Sequence, residues 1–207
     1  ANQIADELSE ALHGQNRICL AVPGGSTPGP IFDALCAADI DWGRVDVVAT
    51  DERWVPEDHP RSNARLIKER LLVNRAAKAR YLPLFAPAHA PEEVLAEIES
   101  MIAPELPLAV AVLGMGDDMH TASLFPGAEG LEEALSPKAP ILVPIRRDDL
   151  PETRLSLSAR ILDGALSKHL VITGAQKRKA LEAARGLSHQ EAPVGAVLKD
   201  TTIHWAE

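Results

Sequence analysis

Short, almost unbroken apolar runs punctuate this chain: ICLAV, VDVVAT and LAVAVLG carry aliphatic residues at nearly every position. A strand wetted on one face alternates polar and apolar residues, whereas runs like these have to be covered on both faces. Strands are predicted at Arg17–Val22, Val45–Thr50, Leu108–Leu113, Ile141–Ile145, Arg154–Leu157, Lys168–Thr173 and Thr202–Trp205. Between them the apolar spacing lengthens to three and four. That spacing predicts helices at the start of the chain and at Pro28–Ala37, Ser62–Asn74, Pro91–Ile102 and Gln176–Arg185. Strands separated by helices of this length imply βαβ crossovers, and hence an α/β fold with a mostly parallel sheet covered on both faces. The proline-rich stretch Leu82–Pro91 reads as a loop, no repeat or linker breaks the pattern, and residues 1–207 are taken as one domain.

Ligands of open parallel sheets gather beyond the carboxyl ends of the strands. Here those ends carry PGGSTP after Val22, DERWVP after Thr50, GMGDDMHTAS after Leu113 and GAQK after Thr173. Charge narrows what could bind there. A formal net charge of −9 speaks against nucleic acid as the main partner, since phosphate backbones need a basic surface. A few fixed cations can still hold a small anion. The two cysteines, Cys19 and Cys36, have no metal-ligand spacing and suit reduced thiols in a cytoplasmic protein. No run is long and apolar enough to span a membrane, and no secretion signal opens the chain. Ala1 falls within a helical pattern, so the sequence is expected to start downstream of the true N-terminus.

In PGGSTP, Gly24 and Gly25 permit close backbone approach, Ser26 and Thr27 offer hydroxyls, and Pro28 suits the first turn of a helix. The segment reads equally as a phosphate loop at a helix N-terminus or as a tight turn capped by Ser26 or Thr27. It is neither a Walker loop nor a dinucleotide fingerprint. Asp51 and Arg53 stand at a strand end and lean towards function, whereas Glu57, Asp58, Lys68, Glu69 and Arg70 suit a solvated, salt-bridged surface. In GMGDDMHTASLFPG, His120 follows Asp117 and Asp118. A short helix beginning near Met119 would place the imidazole at its positive end and keep it neutral, with Asp118 orienting the ring or positioning water. No other histidine has zinc-type spacing with His120, so no metal is expected. Lys177, in the first turn of a helix, works against the macrodipole unless an anion sits there, while Arg178 and Lys179 suit solvent. Arg154 begins a strand instead of ending one, and the rim rule gives it no support.

Together PGGSTP, DERWVP with the later SN, GMG–D–HTASLFPG, TRLSLS and G-x-x-K resemble the 6-phosphogluconolactonase family, in order and along nearly the whole chain. The resemblance implies a three-layer α/β/α Rossmann-like sandwich of the sugar-phosphate isomerase/deaminase type. It implies hydrolysis of a small phosphorylated sugar lactone, without metal or cofactor. It makes His120 the general base, puts phosphate on Gly24, Gly25, Ser26 and Thr27 with Arg154 and Lys177 as clamps, and sets Asp51 and Arg53 on the sugar side. The oxyanion would fall to a rim arginine or to backbone amides near Gly114–Gly116. Oligomeric state is not legible, and a monomer is compatible with such a site.

One position departs from the family: Met119 stands where glycine is usual, which requires ordinary backbone angles and adds bulk beside the base. The rival readings are an amino-sugar phosphate deaminase and a non-catalytic sugar-phosphate sensor. The deaminases carry a glutamate where this chain has Phe125, and a sensor would not need His120 beside carboxylates.

Overall fold

The computed structural model describes residues 1–207. The chain runs α1 (Asn2–Gly14), β1 (Ile18–Val22), α2 (Gly29–Leu35), β2 (Val45–Ala49), β3 (Asp51–Arg53), α3 (Asn63–Arg70), β4 (Arg80–Leu82) and α4 (Leu95–Ile102). It continues through β5 (Val110–Leu113), α5 (Leu131–Leu135), β6 (Leu142–Ile145), β7 (Arg154–Leu157), α6 (Ala159–Asp163), β8 (Ser167–Thr173), α7 (Gly174–Ala184) and β9 (Thr202–Ala206). Six strands form one parallel sheet in the order β4-β2-β1-β5-β8-β9. As their composition requires, β1, β2 and β5 are buried along their whole length. Helix α1 turns Ile4, Leu8 and Leu12, spaced four apart, into that core.

The order of the sheet determines where a site can form. The chain steps from β1 outward to β2 and β4, then returns to lay β5 on the other side of β1. Connections diverge between β1 and β5, so a crevice opens at their carboxyl ends. PGGSTP leaves β1 there and GMGDDMHTAS leaves β5.

Several predicted features differ. The runs at Ile141–Ile145 and Arg154–Leu157 do not join the parallel sheet; with Asp51–Arg53, expected to be loop, they make a separate antiparallel sheet in the order β3-β7-β6. Thr50 is the junction: its N–H donates to Val22 O at 2.9 Å, and its carbonyl accepts from Leu157 N–H at 2.9 Å. The predicted helix at Ser62–Asn74 ends at Arg70, and a separate 3-10 turn at Asn74–Lys78 follows. Strand β4 and the short helices α5 and α6 are too brief to show a period.

Two buried polar clusters tie the elements together. Asp46, fully buried in β2, accepts a fork from Arg80 at 2.8 and 2.7 Å. The buried His169 ring meets Glu7 at 2.5 Å through Nε2 and His204 at 2.9 Å through Nδ1, tying α1 to β8 and β9. Cys19 and Cys36 are buried and unpaired. No helix is long and apolar enough to cross a membrane.

Candidate active site

The first wall of the crevice is built on Glu52. Its buried carboxylate accepts from the backbone N–H groups of Arg53, Asn63 and Ala64, each at 2.8 Å, and so anchors the start of α3. Burial pushes this carboxyl up, and the three donors oppose that rise. Asn63 is thereby fixed where its Nδ2 donates to Asp51 O at 2.8 Å and its Oδ1 accepts from Arg53 Nη1 at 2.7 Å. Gly24 must be glycine because a Cβ would lie 2.0 Å from Asn63 Oδ1, and Gly25 holds a φ of +84°. The bare backbone of the PGGSTP loop therefore rests directly on Asn63 and faces Arg53.

The second wall is the histidine loop. His120 Nδ1 lies 2.5 Å from Asp118 Oδ1, and the His120 N–H donates to the same oxygen at 3.2 Å. Burial alone would raise the Asp118 carboxyl, but the His120 ring and backbone, with Arg147 beyond, bring it down to about 2. Asp118 is therefore a carboxylate at neutral pH and can only accept, so Nδ1 carries the proton and Nε2 keeps the lone pair. Gly116 gives the ring its place, since a Cβ there would stand 2.1 Å from His120 Cε1. Thr121 Oγ1 donates to Gly114 O at 2.9 Å and Ser123 Oγ to Asp51 Oδ2 at 2.5 Å, pinning the loop to both sheets.

Two expectations about this loop are corrected. No helix begins near Met119; the chain forms successive turns, and the ring is oriented by Asp118 instead of a helix field. Nor does Met119 have ordinary backbone angles: its φ is +67°, in the left-handed region. The usual family glycine thus has a conformational reason, and this chain places a side chain there against about 1–2 kcal/mol of strain.

Between the walls lies a cleft of about 260 Å³. Gly24, Gly25, Ser26, Thr27, Asp51, Arg53, His120, Arg154 and Lys177 all line it; Asp118 stands behind His120, outside the lining. Its fixed charges are three cations, Arg53, Arg154 and Lys177, against the one carboxylate of Asp51. The Nε atoms of Arg53 and Arg154 are buried with no hydrogen-bond partner. Burial, and then the neighbouring Arg53, hold the Arg154 guanidinium below its ordinary value, while Asp51 and Glu152 act the other way. Arg154 stands at the start of β7, and the antiparallel register sets it directly opposite Arg53. The rim rule missed it because that rule concerns parallel strands alone. Lys177 is half-buried and has no ion-pair partner, whereas Arg178 and Lys179 are exposed. No group of three or more His, Cys, Asp or Glu side chains converges in a metal-ligating arrangement.

Residues 1–205 match the family model for glucosamine-6-phosphate isomerases/6-phosphogluconolactonase. The chain belongs to this family. It is 42% identical to the 6-phosphogluconolactonase of Pseudomonas aeruginosa over 210 residues, covering 99% of this chain and 88% of that protein. Identity to the 6-phosphogluconolactonase of Mesorhizobium japonicum is 40% over 214 residues, with coverage of 100% and 89%. A crystal structure of a 6-phosphogluconolactonase from Shewanella baltica matches with a TM-score of 0.95 at 33% identity, covering 100% of this chain and 91% of that one.

Within this family fold, Phe125 touches His120 and two arginines. Its ring lies 4.4 Å from the His120 ring, and the guanidinium carbons of Arg147 and Arg154 sit 4.9 and 5.5 Å from its centroid. An aromatic ring, without a carboxylate, therefore stands beside His120. Met119 gives a stability test. Its carbonyl accepts from Val194 N–H at 3.0 Å, and its side chain packs against the core. Met119→Gly relieves the left-handed strain but loses that packing and some chain entropy, so urea melts should differ from the parent by less than about 1 kcal/mol. Met119→Val, β-branched at positive φ, should destabilise by about 1–2 kcal/mol. Equal stability of the valine variant would mean that the turn does not hold this angle.

Proposed function

We propose that this chain hydrolyses 6-phospho-D-glucono-1,5-lactone to 6-phosphogluconate, a step of the oxidative pentose phosphate pathway, as a single cytoplasmic domain over residues 1–207. Its relatives carry the name of that activity. The observation that carries the reading is the pairing of a free imidazole nitrogen with under-satisfied guanidinium groups in one cleft. His120 Nε2 has its lone pair available because Nδ1 is held by Asp118, and Arg53 and Arg154 keep buried nitrogens without partners.

Phosphate lies on Gly24, Gly25, Ser26 and Thr27, clamped by Arg154 and Lys177. Arg53 and Asp51 line the sugar side. Both Asp51 oxygens already hold hydroxyls, from Thr50 at 2.8 Å and Ser123 at 2.5 Å, so Asp51 braces the site and His120 acts on water. Nε2 takes a proton from the water as its oxygen attacks the lactone carbonyl. The tetrahedral intermediate then collapses, the bond from the carbonyl carbon to the ring oxygen breaks, and Nε2–H returns the proton to that oxygen. The Gly116 amide, engaged by His120 O at 3.0 Å, is unavailable to the oxyanion, which leaves the rim arginines and the remaining amides of this turn. Phe125, in place of a glutamate, leaves a deaminase without its proton-carrying partner.

Acid release from freshly prepared 6-phosphogluconolactone should run well above the spontaneous rate, with no ammonia released from glucosamine 6-phosphate. Lactone opening at the spontaneous rate would sink the proposal.

A further inference from the structure

Arg147 lies in the loop after β6, outside every segment that suggested chemistry in the sequence. Its guanidinium is fixed on three sides. Nε and Nη2 fork onto Asp149 at 2.5 and 2.9 Å, Nη1 donates to Pro126 O at 3.2 Å, and the cation rests on the Phe125 ring at 4.9 Å. So held, Nη1 stands 3.6 Å from Asp118 Oδ2, a charge contact longer than a full hydrogen bond. The other oxygen, Asp118 Oδ1, is the one at 2.5 Å from His120 Nδ1. His120 in turn packs on Phe125 at 4.4 Å. His120, Asp118, Arg147 and Phe125 therefore close a circuit of contacts, with the arginine opposite the imidazole.

We infer that Arg147 is a positioning residue: it holds the outer oxygen of Asp118 so that the inner one keeps the His120 ring aimed into the cleft. Asp118 needs such a hold, because its side chain is 41% exposed and no hydrogen bond reaches Oδ2. An exposed carboxylate on a short stem rotates freely unless something fixes its plane. Arg147 does not line the cleft, so it acts on turnover and not on substrate affinity. This role rests on the assignment of His120 as base, with Asp118 behind it.

The test uses the full chain and five variants. Arg147→Met keeps an apolar side chain over Phe125 and removes the charge. It should lower kcat about three- to tenfold with KM within about twofold, and Arg147→Lys should recover part of the loss. In an Asp118→Asn background, Arg147→Met should change kcat less than about twofold, because its target is gone. Equal losses in both backgrounds, or a loss confined to KM, would overturn the inference. A second readout does not depend on turnover. In histidine-labelled protein, the Nδ1 proton of His120 should move upfield and exchange faster in Arg147→Met, and an unmoved resonance would overturn the role even in an inactive protein. A kcat unaffected by Asp118→Asn, with the resonance still moved by Arg147→Met, would reject Asp118 in catalysis while keeping the contact. If Arg147→Met does not fold, Asp149→Asn removes only an exposed brace. It should lower kcat about twofold and shift the same resonance, and parent values for both would reject the inference.

Discussion

Replacing His120 with asparagine is expected to lower kcat for the lactone by about 10²–10⁴-fold while changing KM by less than about threefold. Asparagine is close in size to the ring and can still present an amide N–H to Asp118, so the loop keeps its hydrogen bond. What disappears is the basic nitrogen at Nε2 and, with it, the only group in the cleft lining placed to take a proton and give it back. Asp51, the one other titratable acceptor there, is occupied by the Thr50 and Ser123 hydroxyls. The phosphate contacts are untouched, which is why the loss should fall on turnover. Initial rates of acid release, corrected for spontaneous opening, measure this directly. A variant with parental kcat would remove His120 as base. Asp118→Asn should fall between parent and His120→Asn, since the ring stays but its tautomer is no longer imposed.

Part of this arrangement was legible beforehand, for physical reasons that differ between residues. Strands β1, β2 and β5 announce themselves because burial on both faces keeps them almost wholly apolar, the one charged residue, Asp46, being paired with Arg80. Their carboxyl ends then locate PGGSTP and the His120 loop, as the crevice follows from connectivity. Arg154 was legible only through family resemblance. Its place opposite Arg53 depends on a second, antiparallel sheet whose strands are too short to state their direction. The Met119 backbone was misread because a side chain usually signals ordinary angles, and only the turn holding His120 beside Gly116 demands otherwise. Arg147 had no sequence signal at all. It acts across a contact between loops far apart in the chain, and an RRDD cluster by itself describes ordinary surface.

Arg154→Met should separate binding from stability in opposite directions. With its guanidinium removed, phosphate loses one charge-assisted partner, about 1.5–3 kcal/mol, and KM should rise about 10–150-fold. The unliganded protein should be no less stable than the parent, and its melting temperature equal or higher. The reason is that Arg154 is poorly compensated where it stands: its side chain is 7% exposed, Nε has no partner, and the nearest carboxylate contact, to Asp51, is 4.0 Å. A buried cation in that state costs desolvation that its contacts do not return, and an unbranched apolar side chain fills the same channel without the cost. Asp51 is not orphaned by the change, because its hydroxyl partners remain. Inorganic phosphate supplies the complementary measurement: it should raise the melting temperature of the parent and have little effect on Arg154→Met. A destabilised variant with unchanged KM and an unchanged response to phosphate would assign Arg154 to the packing of β7 against Phe125 and take it out of the binding site.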